Sequence, residues 1–150
     1  MREAGLACAL AWLAALTIYD VRQRRLPNVL TLPGAVIVLV AAVLAGREAS
    51  ALIGAGVLAA LYLVVHLIAP AAMGAGDVKL AIGVGALTGS FGVDAWVLAA
   101  VTAPLLTALW GIVSLLARRV LASGATGRST VPHGPSMCVA AIGAVAMVVA

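Results

Sequence analysis

Read as apolar and polar positions, the chain alternates long uncharged runs with short polar returns. Runs approaching 20 apolar residues predict membrane-spanning helices, here at about Ala4–Tyr19, Pro27–Ala45, Ala51–Ala69, Ala95–Ala117 and Pro135–Ala150. Between the third and fifth lies Val78–Thr88, which is apolar but short for a bilayer of about 30 Å at 1.5 Å per residue. Two outcomes are open for it: a stop at Gly89-Ser90-Phe91-Gly92, or continuation toward Trp96. Pro27 suits a helix start, Pro70 weakens continuation of the third helix, and Pro104 marks a kink in the fifth. Val120–His133 is richer in Ser, Thr and Gly and reads as a loop.

Composition turns this pattern into a class. Of 150 residues, 65% are hydrophobic and 9% charged, against about a quarter charged in soluble domains. The expectation is a single membrane-embedded domain, residues 1–150, all-α and polytopic, with about six transmembrane helices in a lipid bilayer. Aromatic residues are scarce while Ala and Gly abound, which suits close helix packing and not a barrel with aromatic girdles. A cleaved signal peptide would carry its charge before the apolar run, whereas Arg22, Arg24 and Arg25 follow it. Cys8 and Cys138 are far apart and are expected to be small core residues.

The net charge of +4 is spread over helix ends, which argues for topology and against nucleic-acid binding. Threaded through six spans, Arg22, Arg24, Arg25, Lys79, Arg118, Arg119 and Arg128 fall on one side, leaving Arg2 and Arg47 opposite. By the positive-inside rule, the first side faces the cytoplasm.

Two acids then require explanation. Asp20 ends the first apolar run, and Asp77 sits in Met73-Gly74-Ala75-Gly76-Asp77-Val78-Lys79-Leu80. A carboxylate beside membrane-type sequence is costly and marks a functional site. The threading brings both acids to the cytoplasmic face at similar depth. Paired carboxylates share a proton: the ionised one activates water, the protonated one polarises a scissile carbonyl, and neither metal nor cofactor is required. Gly74 and Gly76 would let an extended peptide backbone approach. By helix dipoles, Asp20 at a helix end holds the shared proton more often than Asp77 at a helix start.

With these residues in view, the chain resembles the type IV prepilin peptidases. Gly74-Ala75-Gly76-Asp77 with Val78-Lys79 is similar to their GxGD motif. Asp20 with Arg22, Pro27 and Asn28 resembles their first aspartate motif, and Val131-Pro132-His133-Gly134-Pro135 resembles a Pro-x-Gly-Pro segment. The resemblance implies an aspartic endopeptidase of the bacterial cytoplasmic membrane that removes basic leader peptides from prepilin or pseudopilin precursors at the cytoplasmic face. Asp20 and Asp77 carry over as the catalytic pair, with Gly74, Gly76, Lys79, Pro132, Gly134 and Pro135 binding substrate or shaping the site. The first loop has no cysteine tetrad, so the chain resembles the short members that serve tight-adherence or Flp pili, without N-methyltransferase activity. His133 and Ser136 depart from the apolar residues common in relatives.

Blander readings stand beside these. Asp77 also suits a helix N-cap, Asp20 an interfacial ion pair, and Lys79 a lysine whose head reaches the membrane edge. His66 is expected to be buried and hydrogen-bonded, about three turns from Asp77, while His133, nearer the active face, is a candidate to tune the site's pH response, a role the sequence leaves open. Gly85-Ala86-Leu87-Thr88-Gly89 predicts internal helix packing. The competing function is a small proton- or cation-coupled transporter using the same acids, whose carboxylates would sit nearer the midplane.

Overall fold

A computed structural model describes residues 2–23, 26–70, 73–120 and 133–149. Among them the protein is all-α: α1 Arg2–Gln23, α2 Asn28–Leu44, α3 Glu48–Ile68, α4 Ala75–Ser90, α5 Val93–Val120 and α6 Gly134–Val149. Segments within α1, α3 and α5 are long and apolar enough to cross a membrane, while α2 and α6 are apolar but shorter. Arg24, Arg25, Arg128, Val131 and Pro132 lie outside the described residues.

The open question about the fourth helix resolves as a stop. α4 ends at Ser90, and Gly92 takes φ 116°, a left-handed backbone that separates it from α5. With 16 residues, α4 is about 24 Å long, short of a typical hydrocarbon core. Length is no obstacle, because α4 packs against α2, α3, α5 and α6. Leu80, Ala81 and every residue from Gly83 to Gly89 are buried, so the helix is enclosed by protein and presents little to lipid. Pro104 falls inside α5 and Pro33 inside α2, and neither ends its helix.

Missing side chains set the helix spacing around α4. A Cβ on Gly85 would strike the Gly54 carbonyl oxygen of α3, and one on Gly89 would lie 2.7 Å from the Ser50 oxygen. The Gly85–Gly89 pair therefore serves internal packing, as its spacing predicts. On the other side, Trp12 of α1 fills the spaces over Gly34 of α2 and Gly83 of α4, and its indole donates to the Leu30 carbonyl at 2.9 Å. At the Ser90 end, the Arg47 guanidinium donates to the Ser90 carbonyl at 2.7 Å and lies over the Phe91 ring. That cation meets the carbonyls and negative dipole of a helix end.

The two cysteines part company. Cys138 is buried, but Cys8 is exposed, which corrects its expected core position. The inward stripe of α1 runs through Leu13, Leu16 and Asp20 at helical spacing, and Cys8 lies off it.

Candidate active site

Asp20 continues the buried stripe of α1. Because it follows Leu16 by four positions, the face that packs Leu13 and Leu16 carries the carboxyl inward too. The residue is 6% exposed, and among the described residues its Oδ2 has no hydrogen-bond partner. Its neighbour is Gly134, where a Cβ would lie 2.5 Å from Oδ2. Only glycine lets the start of α6 come so close.

Asp77 is positioned by its own helix. Gly74 is the N-cap of α4 and Asp77 the third helical residue, so the acid is not the N-cap itself. Its Oδ2 accepts the Gly74 N–H at 3.1 Å, the carboxylate half of a capping box. A capping role and a place in the site therefore coexist, since one oxygen can hold the amide while the other is free.

The two acids meet in one open cleft of about 690 Å³, lined by Asp20, Gln23, Leu26, Pro27, Asn28, Gly74, Ala75, Gly76, Asp77 and Lys79. They lie within electrostatic range of each other. Gly74 is exposed, and a Cβ there would approach nothing closer than Asp77 Oδ2 at 3.5 Å. Gly76 differs: Leu26 lies over it, 3.3 Å from where a Cβ would stand. Of the two glycines expected to admit a backbone, Gly74 is the open one. Lys79 donates to Asn28 Oδ1 at 2.8 Å, tying α4 to the start of α2 across the cleft. Pro135 is half-buried in the first turn of α6, outside the cleft lining.

Among the described residues no cluster of His, Cys, Asp and Glu could hold a metal ion. The arrangement is suited to moving a proton between carboxyls and to polarising water.

A protein-family model matches residues 7–118, a stretch that holds both aspartates and the whole cleft lining; it is described as the type IV leader peptidase family. The chain belongs to that family. No curated protein and no solved structure matches it. For this leader peptidase family member, the match ends before His133, Gly134 and Pro135, so the third motif rests on its position against Asp20.

Several residues around the site carry little signal in sequence. Tyr62 is buried and bonds His133 Nε2 at 3.0 Å, and Thr107 of α5 bonds the other ring nitrogen. His66 is half-buried and hydrogen-bonded to the Met73 carbonyl at 2.8 Å. The His66 ring also interacts electrostatically with Asp77. The available signal was spacing: Tyr62 and His66 are polar-tipped residues four apart in an otherwise apolar span.

Proposed function

We propose that the protein is an aspartic endopeptidase that cleaves basic leader peptides from type IV prepilin or pseudopilin precursors. The observation that carries this reading is the shared cleft, in which Asp20 from α1 and Asp77 from α4 line one opening beside an unencumbered Gly74.

In the proposed cycle, an extended substrate backbone lies along Gly74, its scissile carbonyl between the acids. Asp77 is the ionised partner. Its carboxylate accepts the Gly74 N–H at the amino end of α4, where backbone amides and the helix dipole favour negative charge. It draws a proton from water as that water attacks the carbonyl carbon. Asp20 carries the shared proton, because an ionised, buried oxygen without a partner would cost several kcal/mol. It donates to the developing oxyanion. As the tetrahedral intermediate collapses, Asp20 takes one hydroxyl proton back, the C–N bond breaks, and the amine leaves with the proton that Asp77 acquired, which restores the starting pair. The pair titrates as a unit, so this is the favoured arrangement of one shared proton.

The same reading assigns the cleft to the cytoplasmic face of a bacterial cytoplasmic membrane. Arg22 and Lys79 belong to that end, whereas Arg47 caps the opposite end of α4. The cleft at the helix ends also favours peptide access over transport, for which acids near the midplane are expected. The proposed reaction uses no cofactor.

Co-expression with a candidate prepilin tests the function. Wild-type protein should yield mature pilin on an immunoblot, while Asp20→Asn and Asp77→Asn should leave the precursor intact. Full processing by either variant sinks the proposal.

A further inference from the structure

Two polar-tipped side chains, buried Tyr62 and half-buried His66, share one face of α3. Ala51, Ala55, Leu58 and Tyr62 form its inward stripe, and His66 extends that stripe by one turn. Both polar members reach across to another segment, and each of those segments carries a glycine that lies against one of the aspartates.

The Tyr62 contact has a definite proton arrangement. The Thr107 hydroxyl has one proton and two contacts, the Ala103 carbonyl at 3.1 Å and His133 Nδ1. A carbonyl only accepts, so the hydroxyl proton goes to Ala103 and Nδ1–H donates to Thr107. Nε2 of a neutral ring is then the acceptor for the Tyr62 hydroxyl at 3.0 Å. Burial also disfavours the imidazolium, lowering the His133 pKa. His133 immediately precedes Gly134, whose backbone lies against Asp20.

His66 does the equivalent at the other acid. The Met73 carbonyl accepts, so Nδ1–H of His66 is the donor at 2.8 Å. Met73 immediately precedes Gly74, whose N–H is given to Asp77. Each aspartate thus rests against a glycine, and the residue before each glycine is tied to α3.

We propose that Tyr62 and His66 are positioning residues that fix the separation of Asp20 and Asp77 by tethering His133 and Met73 to a single helix. This rests on the two-aspartate reading above. A rigid helix places its residues at 1.5 Å rise, so two anchors one turn apart define the spacing of the two glycine ledges. Loss of either anchor lets one ledge drift, and a displacement of about 1 Å costs up to about 100-fold in a reaction that needs both groups aligned.

The test uses the full chain in nanodiscs, with a prepilin that the wild type cleaves. Tyr62→Phe and His66→Leu should each lower kcat by about 10-fold or more with KM little changed. Their pH–rate profiles should shift, because the distance between carboxyls sets how they share a proton. The ionisable groups around the pair are Tyr62 and His66 of α3, His133 before α6, Cys138 of α6 and Lys79 of α4, and only the first two are altered. His66→Asn, whose amide nitrogen stands near the place of Nδ1, should recover most of the loss. Arg47→Ala, at the far end of α4, should leave the profile unchanged. A second readout needs no activity: the carbonyl-stretch infrared band of the protonated carboxyl, assigned by its disappearance in Asp20→Asn or Asp77→Asn, should move in Tyr62→Phe and His66→Leu. The proposal is overturned if profile and band stay put in both variants, even where activity falls with the amount of folded protein. If instead the Asp→Asn variants still cleave prepilin, the peptidase mechanism fails, and the infrared band alone decides the tethering.

Discussion

At the Asp77 end of α4, Gly74 opens onto the cleft with no heavy atom closer than 3.5 Å to the place a Cβ would take, whereas at the Ser90 end Gly85 and Gly89 are pressed against the α3 backbone. The same residue type, within one 16-residue helix and its cap, leaves space at one end and has its space filled by a neighbour at the other. The opening exposes backbone next to carboxylates, and the filled end lets two helices approach to backbone contact. Polar groups divide the same way. Arg47 closes the Ser90 end with a direct bond to a helix carbonyl, while at the cleft end Asp20 Oδ2 is left without a partner among the described residues. Packed glycine brings two helix backbones together, and bare glycine leaves backbone accessible beside the two acids.

The sharpest break between the two ends should come from the acids. Asp20→Asn or Asp77→Asn should lower prepilin cleavage by about 1,000-fold, within the range lost with an acid–base group, while detergent-solubilised protein keeps a melting temperature near wild type. Asp20→Asn is expected to melt near wild type, because a neutral amide of similar size replaces a buried carboxyl that the shared proton already keeps neutral.

Next in size is the packed end. Gly85→Ala should destabilise the fold by about 1–3 kcal/mol, because the added methyl meets backbone that cannot rotate away. Gly74→Ala should melt within about 0.5 kcal/mol of wild type yet raise KM, since its methyl projects where substrate backbone would lie. Equal melting losses in the two variants would erase the comparison.

Acidification should also separate the ends. His133 is held neutral by burial, so below the unfolded value of about 6.5 the unfolded chain binds a proton that the folded one refuses, and stability falls as pH falls. Hydrogen exchange between pH 7 and 5, corrected for intrinsic rates, should rise at residues 134–138 before it rises at 85–89, and a His133→Gln variant should abolish the difference. The smallest effect belongs to Arg47→Ala. It should cost about 0.5 kcal/mol by removing an exposed helix cap, and leave cleavage unchanged.

How much of this was legible beforehand depended on the range of the interaction. The helices follow from apolar runs, and α4 stops at the Gly89–Gly92 patch because Gly92 adopts a positive φ there. Asp20 and Asp77 stood out because charge is rare in such runs, and their common face followed from counting spans. Cys8 departs from its expected core position because a run apolar all round does not reveal which stripe meets a neighbour. Thr107 carries no signal in the sequence and Tyr62 only its spacing from His66, since an aromatic or hydroxyl residue in an apolar helix is ordinary until its partner is known.

By itself, then, the sequence determined the helix content, the membrane class, the pair of unusual acids and the glycines beside one of them. These depend on composition and on interactions within a few residues along the chain. Tertiary structure alone decided that Gly134 lies against Asp20, that Leu26 covers Gly76 while Gly74 stays open, and that Tyr62 and His66 reach the two ledges from one helix. Those are contacts between residues up to 114 positions apart, as with Asp20 and Gly134. Their geometry is set by how closely glycine lets the helices approach, which no local pattern encodes.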